Sequence, residues 1–218
     1  MRPRRPRGRP GGSSDRLIAE RIPLPGGEVE LIRPPDAEAL ISEESFEHEE
    51  FLPYWAELWA SAVALAHDVS IRSLRGRRTL ELGCGLGLPS IAAARAGGRV
   101  LATDWSPDAV RATAANAERN DVDIETLCCS WGEPDAIVAR APWELVIASD
   151  VLYERRNVDQ LLELLPRLVD ERGLVLLADP GRVPSEGFLA RAPEEGWIVH
   201  TTTSPRAKRV SIHRLRRG

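Results

Sequence analysis

The stretch Thr79-Leu80-Glu81-Leu82-Gly83-Cys84-Gly85-Leu86-Gly87-Leu88-Pro89-Ser90 constrains the fold of this chain more than any other. An apolar strand runs into glycines at alternate positions and then into a segment of helical character. Glycine at 83, 85 and 87 permits a sharp turn and leaves no Cβ between the main chain and a ligand. Pro89 suits the first turn of a helix, where its missing N–H costs nothing. Residues 91–96 continue that helix, and Gly97-Gly98 stops it. Strand, glycine loop and helix in this order place a nucleotide-like ligand at the carboxyl end of a parallel sheet.

The spacing narrows the ligand. A dinucleotide loop requires G-x-G-x-x-G, but here the third glycine comes one residue early and Glu81 precedes the loop. No lysine follows the glycines, which disfavours a P-loop. The next strand, Val100-Leu101-Ala102-Thr103-Asp104, ends in an acid about 20 residues beyond Gly83, where a carboxylate can accept hydrogen bonds from ribose hydroxyls.

Around this unit, the chain from Arg77 alternates short apolar runs with helix-period segments, which predicts an α/β fold: a mainly parallel sheet with helices on both faces. The expected strands are 78–83, 99–104, 124–129, 143–149 and 173–179, and the expected helices 88–97, 106–119 and 157–170. Ser106 stands as cap and Pro107 as first residue of the second of these helices. Two further strands, divided by Ser204-Pro205, fill 197–217. Ahead of the core, residues 17–33 alternate around Gly26-Gly27 as a β-hairpin, and 36–50 read as an acidic helical connector. The aromatic cluster Phe51-Leu52-Pro53-Tyr54-Trp55-Ala56-Glu57-Leu58-Trp59 then leads into a helix over 60–73. Trp55 and Trp59 share a face if that helix begins before them; Trp55 reads equally as a core staple. The organisation is thus a disordered Arg/Pro-rich arm (1–14), a hairpin and helical extension (15–76) and a core (77–218).

Charge bears on the partner. Basic residues crowd the two ends, Arg2 to Arg9 and Arg206 to Arg217, where no acid occurs, so the intervening body is strongly acidic although the whole chain carries only −4. An acidic body argues against nucleic acid as the main substrate and suits a basic partner or plain solubility. The arm has no apolar stretch of a secretory leader, and no run approaches the ~20 apolar residues of a membrane helix. Three unpaired cysteines, Cys84, Cys128 and Cys129, indicate a reducing, cytoplasmic setting. The four histidines are scattered, none at ligand spacing from a cysteine, so no metal site is expected.

E-x-G-x-G-x-G at 81–87 resembles motif I of the class I S-adenosylmethionine (SAM) methyltransferases. P-Y-W-A-x-x-W at 53–59, Trp131, Asp150-Val151-Leu152-Tyr153 and Asp179-Pro180-Gly181-Arg182 occur with it. Together they resemble the family 16 methyltransferases, the seven-β-strand protein lysine methyltransferases, and within them the electron-transfer flavoprotein β-subunit lysine methyltransferase group. The resemblance covers roughly 50–185 and implies a Rossmann-like seven-stranded, mostly parallel sheet with an antiparallel last strand. It implies SAM as cofactor, held by Trp59, Glu81, Gly83, Cys84, Gly85, Asp104, Trp105, Trp131 and Ser149. Tryptophan at 131 can cover an adenine ring or serve as a loop staple. Asp150 and Tyr153 match the family's D-x-x-Y element on the substrate side, although Asp150 could equally anchor a helix or loop. Arg182 could bound the substrate channel or pair with an acid.

The expected activity is therefore N-methylation of a lysine on a protein substrate, with electron-transfer flavoprotein β-like chains as leading candidate by resemblance. A small-molecule amine methyltransferase of the nicotinamide type shares the fold and stays open. A non-catalytic SAM-binding module is disfavoured by the intact glycine loop, Asp104 and Tyr153.

Overall fold

The computed structural model describes residues 17–35 and 53–218. The Arg/Pro arm and the acidic connector with its Glu43–Glu50 run lie outside the described residues. Nine strands and six helices follow one another in these segments: β1 (Ile18–Leu24), β2 (Gly27–Arg33), α1 (Ala60–Ser70), β3 (Arg78–Leu82), α2 (Leu88–Arg95), β4 (Arg99–Asp104), α3 (Pro107–Arg119), β5 (Ile124–Cys128), α4 (Asp135–Val138), β6 (Leu145–Ser149), α5 (Arg155–Leu168), β7 (Leu174–Asp179), α6 (Val183–Arg191), β8 (Trp197–Thr203) and β9 (Ser211–Arg217). Among the described residues, the expected elements are present to within a few residues. Helices α4 and α6 were not foreseen; α6 carries its proline in the first turn, a signal available in Val183-Pro184.

Seven strands form one sheet in the order β5-β4-β3-β6-β7-β9-β8. Pairing is parallel from β5 to β7, and β9 runs antiparallel between β7 and β8. Strand β3 is the hinge of the topology. The chain winds outward from it through β4 and β5, then crosses back to lay β6 on its other side. Open α/β sheets bind ligands at the carboxyl ends of strands at such a switch point.

Both faces of the central strands are buried, so their residues alternate between two cores rather than between core and water. Leu80, Leu82, Val146, Ala148, Val175 and Leu177 face the core closed by α5 and Phe188 of α6. Leu145, Ile147, Leu174, Leu176 and Ala178 face the opposite core, closed by Leu65 and Val69 of α1 and Ile91 of α2. Helix α5 presents Val158, Leu161, Leu162, Leu165 and Leu168 as one buried stripe. Each such leucine contributes about 1.5–3 kcal/mol by burial.

The hairpin shares the second core through Ile22, Val29 and Leu31. It is fastened by two asparagines that imitate a strand edge, Asn116 of α3 and Asn120, which caps that helix. Asn116 accepts from the Ile32 N–H at 2.7 Å and donates to the Ile32 carbonyl at 3.2 Å, and Asn120 does the same to Glu30 at 3.0 and 2.7 Å. The Asn116 amide also donates to the Leu86 carbonyl at 3.0 Å, which ties the hairpin to the glycine loop.

The helix begins at Ala60 as expected, so the condition for a shared tryptophan face is not met. Tyr54–Ala56 make a single 3-10 turn, and α1 starts only after Trp59, whose extended backbone caps it. Trp55 and Trp59 therefore share no helical face. Ala56 and Glu57 close short turns onto Pro53 and Tyr54, and no i→i−4 ladder crosses Trp59. Trp55 instead packs into the hairpin-side core, while the Trp59 indole N–H donates to the Tyr54 carbonyl at 2.9 Å.

Candidate functional site

The carboxyl ends of β3, β4, β5 and β6, together with the 3-10 turn and the loop after β7, surround a cleft of about 620 Å³. Gly83, Cys84 and Gly85 form one wall, Asp104 and Trp105 the next, Trp131 a third, and Ser149, Asp150, Tyr153 and Arg182 the side toward α5. Every expected site residue except Glu81 lines this cleft, Trp59 included.

The loop keeps its shape for reasons visible in the backbone. Gly83 has φ +70°, and a Cβ there would stand 3.0 Å from Val151 Cγ1. Gly87 has φ +81°, and a Cβ would come 2.7 Å from Thr113 Cγ2 of α3. Both positions therefore require glycine. Thr113 also donates its hydroxyl to the Gly85 carbonyl at 3.0 Å and lies 3.2 Å from Cys84 Sγ. Cys84 is buried, which pushes its thiol up and makes it an inert wall rather than a nucleophile.

Asp104 is nearly buried at the end of β4. One carboxylate oxygen accepts from the Gly85 N–H at 3.1 Å and the other from the Ser106 N–H at 3.0 Å. Burial pushes this carboxyl up, opposed by the backbone N–H groups that favour the charged form. Each oxygen retains acceptor capacity for a ligand hydroxyl. Trp105 is 44% exposed, so the cleft is lined by a second indole in addition to Trp131.

Glu81 departs from its expected place on the cofactor wall. Pleating sends its side chain to the face covered by α2, where it is fully buried and accepts a hydrogen bond from Ser90 Oγ. Its other carboxyl oxygen has no partner. Burial lifts its pKa to about 8, and the neighbouring Asp104 charge adds to the rise. Glu81 thus supports the loop from beneath as a neutral acid.

Asp150 follows β6 with φ +57°, a conformation uncommon outside glycine and asparagine. Its carboxylate accepts from Ser61 Oγ of α1 at 3.1 Å and from Arg182 Nε at 2.8 Å. It caps no helix. Arg182 both bounds the cleft and pairs with an acid, and its guanidinium also lies 5.4 Å from the Trp59 ring centroid. The Arg182 N–H in turn donates to Asp179 at 2.9 Å. Tyr153 projects beside this pair, its ring 5.6 Å from that of Tyr54. Burial, and then the Glu154 charge, push its phenol above the ordinary range, so it stays neutral. Sequence reasoning did not single out Tyr54 or Ser61; Tyr54 was legible inside the P-Y-W-A-x-x-W motif, whereas nothing local marks Ser61.

A seven-stranded sheet with β9 inserted antiparallel, opening on a bare glycine loop and a ribose-type acid, defines a class I methyltransferase fold. The T. thermophilus 16S rRNA N2 G1207 methyltransferase (RsmC), solved in complex with AdoMet and guanosine, superposes with TM-score 0.69 at 14% identity, covering 96% of this chain and 52% of that one. The model of the lysine methyltransferase family, family 16 of the methyltransferases, matches residues 49–192, and the chain belongs to that family. The electron transfer flavoprotein beta subunit lysine methyltransferase of Xenopus laevis is 35% identical over 136 residues, 60% of this chain and 53% of the relative. The human histone-arginine methyltransferase METTL23 is 28% identical over 154 residues, 68% of this chain and 81% of that protein. The chain spans about half the length of the flavoprotein-directed relatives it matches. No helix among the described residues is long and apolar enough to cross a membrane.

SAM is the methyl donor of the family, and the cleft suits it. Its volume lies within the ~300–1,000 Å³ of small-molecule sites. Its glycine wall exposes backbone without Cβ atoms, and two indoles and a carboxylate with spare lone pairs complete a surface for a nucleoside.

Proposed function

We propose that this chain transfers a methyl group from SAM to the side-chain amine of a lysine on a protein. One observation carries the reading: the glycine loop with Asp104 and the Asp150–Tyr153 pair open onto the same cleft from adjacent strands of the switch point. Membership of the lysine methyltransferase family supports the choice of acceptor.

Gly83, Cys84, Gly85, Asp104, Trp105, Trp131 and Ser149 would hold the cofactor, with Trp59 closing the side toward the acceptor. Bound SAM would supply an electrophilic methyl carried on a sulfonium, with a neutral thioether as its leaving group. The chain's task is to present an amine lone pair in line with that bond. A lysine amine has pKa ~10.4 and must first lose its proton, which removal from water favours. Tyr153 and Asp150 can orient the lone pair through hydrogen bonds; the proton lost before attack passes to solvent, and the methylated amine carries the positive charge that arrives with the methyl group. Alignment alone can supply ~7–11 kcal/mol of the barrier, so no dedicated base is required.

The reading extends to the setting and the partner. A cytoplasmic location accords with the cysteines, and an electron-transfer flavoprotein β-like chain is the leading substrate by similarity to the Xenopus relative. The acidic body of the sequence would favour a basic surface around the target lysine. The test is incubation with methyl-labelled SAM and a cell extract, followed by mass spectrometry of labelled chains. Methyl groups on protein lysine support the reading. Label confined to low-molecular-weight amines overturns it in favour of the small-molecule alternative.

A further inference from the structure

We propose that Arg182 sets the protonation of the acceptor: by neutralising Asp150 it makes the cleft reject an ammonium and admit the free amine. The inference rests on the amine-methylation reading above and adds a residue that determines the pH at which transfer proceeds.

The geometry is that of a compensated charge at the reaction's edge. Asp150 is almost wholly buried, and on its own it would be the natural resting place for a substrate ammonium. Both of its oxygens are instead engaged, one by Ser61 Oγ at 3.1 Å and one by Arg182 Nε at 2.8 Å. The Arg182 side chain is partly exposed, and the residue is anchored at its main chain and against an indole. Its backbone N–H is fixed to Asp179 at 2.9 Å, and its guanidinium lies 5.4 Å from the centroid of the Trp59 ring. Guanidinium does not deprotonate in proteins, so the Asp150 carboxylate faces a permanent cation.

This matters because an ammonium has no lone pair. A bare carboxylate within ~4–6 Å would hold the acceptor in its unreactive form, raising its pKa by roughly 1–3 units. The paired carboxylate keeps lone pairs for one hydrogen bond to the amine without that electrostatic cost. The other charged or titratable groups on the cleft are Tyr54, Glu57, Cys84, Asp104, Cys129, Tyr153, Glu154 and Arg156. Asp179 lies behind Arg182 at the end of β7, with His213 of the neighbouring β9 beside it. Ser61 and Arg182 are the groups that hydrogen-bond the Asp150 carboxylate directly.

The test compares pH profiles of kcat for wild type, Arg182→Gln and Asp150→Asn, with a lysine-bearing protein substrate identified by the labelling experiment. Arg182→Gln leaves a negative charge beside the amine, so the acid limb moves up by about one unit or more. Asp150→Asn leaves a positive charge there, so its limb moves down, whatever its loss of rate. Arg182→Lys keeps the cation and holds its limb near the wild-type position. SAM affinity, measured by calorimetry on each variant, stays within about threefold of wild type. Opposite displacements support the proposal, since a purely structural role would lower rates without moving the limbs apart. Should Arg182→Gln not fold, the downward shift in Asp150→Asn decides alone. Limbs that coincide, or move in the same direction, overturn it. Absence of lysine methylation by the wild type at every pH would instead fail the underlying reading.

Discussion

The Gly85 N–H donates to the carboxylate of Asp104 at 3.1 Å, so the acid that ends β4 fastens the glycine loop that follows β3. One side chain thus holds the glycine wall of the cleft and keeps lone pairs that a ligand hydroxyl could use. The two strands are parallel neighbours, with Leu82 opposite Thr103, which brings the residues just past their ends together at one rim. Loop and acid are coupled before any ligand arrives.

Replacing Asp104 with alanine should therefore weaken SAM binding at least tenfold. A hydrogen bond to a charged group contributes about 1.5–3 kcal/mol, and each ~1.4 kcal/mol is a factor of ten. Titration calorimetry checks the value and circular dichroism the fold. Unchanged affinity in a folded variant would remove Asp104 from the cofactor site.

Asp150→Asn separates binding from chemistry. The residue, which we place on the acceptor side, is held by Ser61 and Arg182 rather than by the glycine loop. Methyl transfer should fall by at least about tenfold, the scale of a lost charge-assisted contact, while SAM affinity stays nearly intact. A variant that loses SAM binding while folded, or keeps full activity, contradicts this.

Glu81 makes stability depend on pH in the direction opposite to most carboxylates. Its folded pKa of about 8 lies above the ordinary value of 4.5, so the native state keeps a proton that the unfolded chain releases. Its contribution is fully present below pH 4.5 and is lost as pH rises toward 8. Glu81→Gln should flatten this part of the curve of unfolding free energy against pH. Equal slopes for the two proteins across that window would show that Glu81 does not titrate there.

Gly87→Ala should cost roughly 1–3 kcal/mol, from a left-handed backbone that alanine resists and from overpacking against Thr113. The clash is with the side chain of a residue that itself holds Gly85 and Cys84. Chemical denaturation should show the loss, and SAM affinity should fall with it. A midpoint equal to wild type would mean that the loop relaxes freely.

Asn116→Ala should destabilise the protein by about 1–3 kcal/mol or more, because it strands backbone groups of Ile32 and Leu86 in a partly buried setting. Hydrogen exchange should rise first in β2. Exchange unchanged in the hairpin would indicate that apolar packing alone holds it.

The sequence determined the local chemistry. Apolar runs, helix periods, Ser106 as a cap accepting from the Ala109 N–H, and the strand-loop-helix unit at 79–97 all depend on neighbours in the chain. Their pattern led to an α/β sheet, and the motifs to a family. Tertiary structure decided what depends on distant partners. Whether Trp59 belonged to a helix turned on where α1 could begin packing on the sheet, and Glu81 left the cofactor wall because pleating aims it at α2. Above all, Asp150 meets Arg182 and Ser61 only because β6, β7 and α1 converge at one rim. Periodicity reports which face of an element is buried; which charge stands opposite which is set by the packing of elements far apart in sequence.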